Sequence, residues 1–245
     1  MNILAEDKFD PQAFFIEYAN THIHGDVLDR VEDTAPKILF LHDEDKSSAR
    51  DDFKLLRQLL LNQYDLSSCA FDMIGHGETS GEWGSTSLEA RTEQTNDIVN
   101  SSFDCQPFSI VAMGLSAFTA LKMVSVADVS NLVLITPVLP YSSCNRMAFD
   151  QLLQHDLLNA EDNLKQIEAL ASFLDFQGNL ATISQIENDR HTESTTRNSV
   201  VKSSDTFEHH KMELVESSSE LMNFAIQNPS NLARIAQIIS DVCAR

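Results

Sequence analysis

A serine at a tight turn between a buried strand and a buried helix can serve as a nucleophile, and Ser116 has such neighbours. It lies in Met113-Gly114-Leu115-Ser116-Ala117-Phe118. Residues 108–113 read as a short buried strand, and 118–124 as the start of a buried helix. A strained strand-to-helix turn lifts a hydroxyl clear of the sheet, where a base can take its proton. The usual string is Gly-x-Ser-x-Gly, and here Phe118 replaces the last glycine. The bland reading of such a string is an ordinary turn or a helix-capping serine.

Three other segments carry groups able to work beside that hydroxyl. They are Leu41-His42-Asp43-Glu44-Asp45-Lys46, Asp72-Met73-Ile74-Gly75-His76-Gly77-Glu78 and Ile186-Glu187-Asn188-Asp189-Arg190-His191. Each follows an apolar run that reads as a strand. In a parallel sheet, functional groups gather beyond the carboxyl ends of the strands, so all three segments fall on the same side as Ser116.

The elements that must position them alternate. Residues 13–18 and 21–28 read as paired strands, the second with the polar–apolar alternation of an exposed antiparallel edge. A buried strand at 37–41 precedes an amphipathic helix at 48–62, with Phe53, Leu55, Leu56, Leu59 and Leu60 on its apolar side. Strand 68–74 and helix 87–99 follow, then the strand before Ser116, the helix after it, and strand 131–136. Such alternation implies βαβ units, a parallel sheet and helices on both faces. Residues 138–178 interrupt the rhythm with helical spacing, either as a small cap or as a crossover pair. Strands at 180–186 and 211–215 and a helix at 229–244 complete the pattern.

The 245 residues suit one domain, and hydrophobic residues make up 42% of them, enough for a sizeable core. No window is long and apolar enough to span a membrane. The first residues lack the basic-then-apolar order of a secretion signal, and the four scattered cysteines read as reduced thiols of a cytoplasmic protein. Nothing suggests a metal site or a cofactor. The formal net charge of −20 disfavours nucleic acid and anionic membranes as partners.

Asp72-Met73-Ile74-Gly75-His76-Gly77-Glu78-Thr79 resembles the Asp-x-x-Gly-His-Gly-x-Ser signature of α/β-hydrolases, and Ser116 follows it in register. The similarity in order and spacing covers residues 36–137. It implies an α/β-hydrolase fold, a mostly parallel sheet with an antiparallel N-terminal edge. It also implies a serine hydrolase acting on a small ester or thioester. Carried over position by position, the nucleophile is Ser116, the acid Asp189, and the oxyanion donors the backbone N–H groups of Glu44 and Ala117.

The sequence departs from that pattern at the histidine. Ser219 or Glu220 stands where the imidazole belongs, and His209 and His210 begin the last strand, at its wrong end. His191 is placed to act as a surrogate base. His42 and His76 read as structural parts of their loops. Asp43, Glu44 and Asp45 would oppose a developing oxyanion unless their side chains turn to water. Two readings stay open: a serine hydrolase with a degenerate or rearranged triad, and a catalytically inactive α/β-hydrolase-fold protein that binds a ligand or protein partner.

Overall fold

The computed structural model describes residues 9–31, 34–140, 144–152, 176–186, 210–216 and 229–244. The first half runs β1 (Gln12–Tyr18), β2 (Thr21–Leu28), β3 (Ile38–Leu41), a 3-10 turn (Arg50–Phe53), α1 (Lys54–Tyr64) and β4 (Ser68–Phe71). Next come a 3-10 turn (Trp83–Ser85), α2 (Leu88–Ser102), β5 (Phe108–Met113) and α3 (Ser116–Met123). The remainder is β6 (Val129–Ile135), α4 (Phe149–Leu152), β7 (Asn179–Ile186), β8 (His210–Glu216) and α5 (Pro229–Cys243).

The eight strands lie in the order β1-β2-β4-β3-β5-β6-β7-β8. β1–β2 and β2–β4 are antiparallel, and every pairing from β4 to β8 is parallel. The parallel sheet with an antiparallel N-terminal edge is therefore what the alternation of elements implied. Two details differ from expectation. The edge strand is β1, whereas β2 pairs on both sides; its alternation arises because Ile23 and Leu28 are buried while Thr21 and Val27 are partly covered. Leu55 points to water, and Leu61 is buried in its stead.

Side chains on successive strand residues point to opposite faces, so each buried strand feeds two cores. Leu39 and Leu41 of β3 join Ile110, Ala112, Leu132 and Leu134 on one face, covered by Leu88 and Ile98 of α2 and Phe118 and Leu121 of α3. Ile38 and Phe40 join Val111, Met113, Val133 and Ile135 on the other. There Leu56 and Leu60 of α1 and Leu232, Ile235, Ala236 and Ile239 of α5 close the layer. The apolar positions of α5 recur at three- and four-residue spacing, which places them on one stripe. Ser87 caps α2 by accepting the Ala90 N–H at 3.3 Å. Removing such a cap typically costs ~1 kcal/mol.

Most of the segment expected as a cap, residues 141–143 and 153–175, lies outside the described residues. Its described part includes the single turn of α4, whose Phe149 and Leu152 are buried in the core. Among the described residues no helix is long and apolar enough to cross a membrane.

Candidate functional site

β3, β4 and β5 end side by side, and the loops leaving them supply the residues singled out in the sequence. The β5–α3 turn has its left-handed residue at Gly114, with φ of 59°. Leu115, the next residue, is already right-handed, and Ser116 opens α3. Gly114 donates to the Ile135 carbonyl at 3.0 Å, and its own carbonyl accepts from Ala117 at 3.2 Å and Val138 at 3.0 Å. Ser116 is fully buried, and its hydroxyl donates to the His42 carbonyl at 2.6 Å. The hydroxyl thus ties α3 to the β3 loop and does not project from the turn.

The β3 loop sends its three acidic side chains three different ways. Asp45 is exposed and accepts from the Ser47 N–H at 2.9 Å; the Ser47 hydrogen bonds hold its carboxyl below the ordinary range. Glu44 turns inward and is fully buried. Its Oε2 lies 3.0 Å from Arg91 Nε and 3.4 Å from His76 Nε2. Burial works against its charge, but Arg91 and His76 outweigh that and hold the carboxyl below its usual value. Asp43 turns to the elbow, where its Oδ1 accepts the Glu44 N–H at 2.7 Å and the Leu115 N–H at 3.1 Å. Burial pushes the Asp43 carboxyl up to about 6, against the two N–H bonds that favour its ionised form.

Glycine at 114 is what admits this carboxylate. A Cβ on residue 114 would fall inside the Asp43 carboxyl group, on a backbone that L side chains rarely adopt.

Neither histidine of these loops is free to act on Ser116. His42 Nδ1 donates to the Asp43 carbonyl at 2.6 Å, and Nε2 accepts the Met73 N–H at 3.2 Å. Both ring nitrogens are thereby used in the neutral state. Burial, reinforced by the adjacent His76, pulls the His42 pKa down to about 3, so the ring stays neutral across the physiological range. His76 packs against His42 with ring centroids 4.6 Å apart, and its Nδ1 lies 3.0 Å from the Ser48 carbonyl oxygen. Gly77, at φ of 48°, brings the β4 loop tightly around the Asp72 carboxylate. Asp72 in turn accepts the backbone N–H groups of Arg50 at 2.8 Å and Glu78 at 2.9 Å and pairs with the Arg50 guanidinium. The Gly-His-Gly segment is thus held by the His76 Nδ1 contact with the Ser48 carbonyl and by the backbone bonds of the Asp72 carboxylate. Trp83 anchors the same region: its Nε1 donates to the Glu44 carbonyl at 3.0 Å, and its ring stacks on Phe149.

No protein-family profile and no curated protein matches the sequence. Solved structures do match. A thioesterase domain from the curacin biosynthetic pathway superposes with a TM-score of 0.67 at 14% identity, covering 94% of this chain and 99% of that one. Haloalkane dehalogenase from Bradyrhizobium elkani gives 0.69 at 10% identity, with 96% and 99% covered. A Pyrococcus furiosus esterase gives 0.62 at 13% identity, with 96% and 92% covered. The chain has the α/β-hydrolase fold.

An α/β-hydrolase fold presents a nucleophile at the strained apex of the strand-to-helix turn, beside the backbone N–H of the following residue and one from the loop after β3. The apex here is Gly114, so the following N–H is that of Leu115. Of the oxyanion pair expected from sequence, the Glu44 N–H meets the Leu115 N–H on Asp43 Oδ1, and the Ala117 N–H bonds the Gly114 carbonyl. Asp189 and His191, expected as acid and surrogate base, lie outside the described residues, as do Ser219 and Glu220. Residue types alone do not mark Gly114 as the turn residue, Leu115 as a donor or Asp43 as facing the elbow. The available signal was that Ala112-x-Gly114-x-Ser116 also has a small residue two before and two after its centre. Among the described residues no group of three His, Cys, Asp or Glu side chains is arranged to hold a metal ion.

Proposed function

We propose that this chain is a catalytically inactive α/β-hydrolase-fold protein whose centre at the ends of β3, β4 and β5 binds a ligand or protein partner. The observation that carries this reading is the register of the elbow. The turn residue is Gly114, which has no side chain to act as nucleophile, and the Ser116 hydroxyl two residues later is buried and bonded to the His42 carbonyl. Acyl transfer through a serine needs a hydroxyl that meets both a base and a substrate carbonyl, with two N–H donors about 3 Å from the oxyanion. Ser116 meets a carbonyl oxygen instead, and His42 has no nitrogen to spare for it. The competing reading, a hydrolase of small esters or thioesters through Ser116 with Asp189 and His191 completing the triad, requires the Ser116 hydroxyl to leave the His42 carbonyl and meet a base.

Fluorophosphonate labelling, together with hydrolysis of p-nitrophenyl butyrate, tests the proposal. Wild type and Ser116→Ala should both remain unlabelled and show only background hydrolysis. Stoichiometric labelling of wild type that disappears in Ser116→Ala would overturn it.

A further inference from the structure

The Asp43 carboxylate is held by backbone alone. Its Oδ1 receives two N–H groups from loops far apart in sequence, Glu44 at 2.7 Å and Leu115 at 3.1 Å. Among the described residues no cationic side chain pairs with it. The charged groups around it are already committed: Glu44 faces Arg91 and His76, and Asp45 faces water beside Ser47. His42, its chain neighbour, has both nitrogens bonded. A carboxyl oxygen seated on two converging N–H groups in place of water occupies them as the carboxyl oxygen of a ligand would. The space it fills exists only because residue 114 is glycine.

We propose that the Glu44 and Leu115 N–H groups form a carboxylate-binding site that this chain fills with its own Asp43, closing the centre in cis to external carboxylates and oxyanions. The seated group is a carboxymethyl unit, and the ligand it excludes is a carboxylate competing for the same two N–H groups. The inference rests on reading the centre as one that binds and does not turn over. It adds that the wild-type site is self-occupied and opens by withdrawal of a single side chain. The Glu44 contact alone would be a local loop feature, since it joins adjacent residues. The Leu115 contact makes it a clasp, because it couples the β3 loop to the β5 turn across 72 residues.

Amide resonances of Glu44 and Leu115 report the site directly. In the full chain, millimolar hexanoate should leave both resonances of wild type in place. In Asp43→Gly both should shift together and saturably, with an affinity at least about tenfold above wild type. Asp43→Asn, whose amide oxygen keeps both bonds, should stay closed. Shifts in wild type equal to those in Asp43→Gly would overturn the proposal, as would a folded Asp43→Gly whose two amides ignore hexanoate. Should Asp43→Gly fail to fold, wild type decides by itself: the two amides must titrate with one shared midpoint as Asp43 takes up its proton, and separate or absent titration refutes the clasp. Ser116-dependent fluorophosphonate labelling is a distinct failure, since it overturns the non-hydrolytic reading whatever the amides do.

Discussion

Replacing Asp43 by asparagine separates the charge of the elbow carboxylate from its hydrogen bonds. The amide oxygen can accept the Glu44 and Leu115 N–H groups as the carboxylate does, but it carries no charge into the buried site. Burial raises the Asp43 pKa from 3.8 to about 6, a difference that corresponds to about 3 kcal/mol. The sign follows from which state holds the proton more tightly. Folded Asp43 does, so the contribution of the neutral acid is fully present below pH ~4, and it is lost as pH rises through ~6. Above that pH, ionised Asp43 weighs against the fold by an amount of order 3 kcal/mol, reduced where water reaches the second oxygen. Asp43→Asn should therefore be more stable than wild type by ~1–3 kcal/mol at pH 8, with the gap closing to a few tenths near pH 4. Urea unfolding of both proteins across this range gives the difference, in which the titration of every other group cancels to first order. A variant less stable than wild type at pH 8 would show that the Asp43 charge does not weigh against the fold. So would a difference that does not change with pH.

Three further outcomes follow from the same packing. Gly114→Ala places a Cβ inside the Asp43 carboxyl on a left-handed backbone and should lose ~1–3 kcal/mol; adding Asp43→Gly should recover the steric part, seen as a coupling of at least ~0.5 kcal/mol in a double-mutant cycle. Glu44→Gln leaves the fully buried Arg91 without its counter-charge, and equilibrium unfolding should show a loss of ~3–5 kcal/mol. Because the Glu44 carboxyl is held below its ordinary range, that stability is present at neutral pH and is lost as pH falls. Ser116→Ala removes the buried bond to the His42 carbonyl and should lower stability by ~1 kcal/mol, with p-nitrophenyl butyrate hydrolysis unchanged from background.

The fold was legible because its signals are local and repeated. Four-residue apolar runs such as Ile38–Leu41 and Ser68–Phe71 bury both faces, and the helices between them carry one apolar stripe each. Gly75-His76-Gly77 was legible for a similar reason. Its turn needs left-handed glycines at fixed places around Asp72, and that requirement leaves a mark in the residue types themselves. The boundaries were less legible: the strand expected at 68–74 stops at Phe71, because Asp72 draws the chain into the loop by bonding Arg50 and Glu78.

The sheet, its antiparallel start and the loops that meet beyond the ends of β3, β4 and β5 are written in local patterns of residue type. The register of the elbow is not. Gly114-Leu115-Ser116 suits a turn centred on the serine or one centred on the glycine, since small residues satisfy the close packing in both. The choice is made by a φ of 59° at Gly114, by the Ser116 hydroxyl finding the His42 carbonyl, and by Asp43 filling the space that glycine leaves. These are contacts between segments some 70 residues apart, and spacing along the chain carries no record of which way a side chain turns across a sheet.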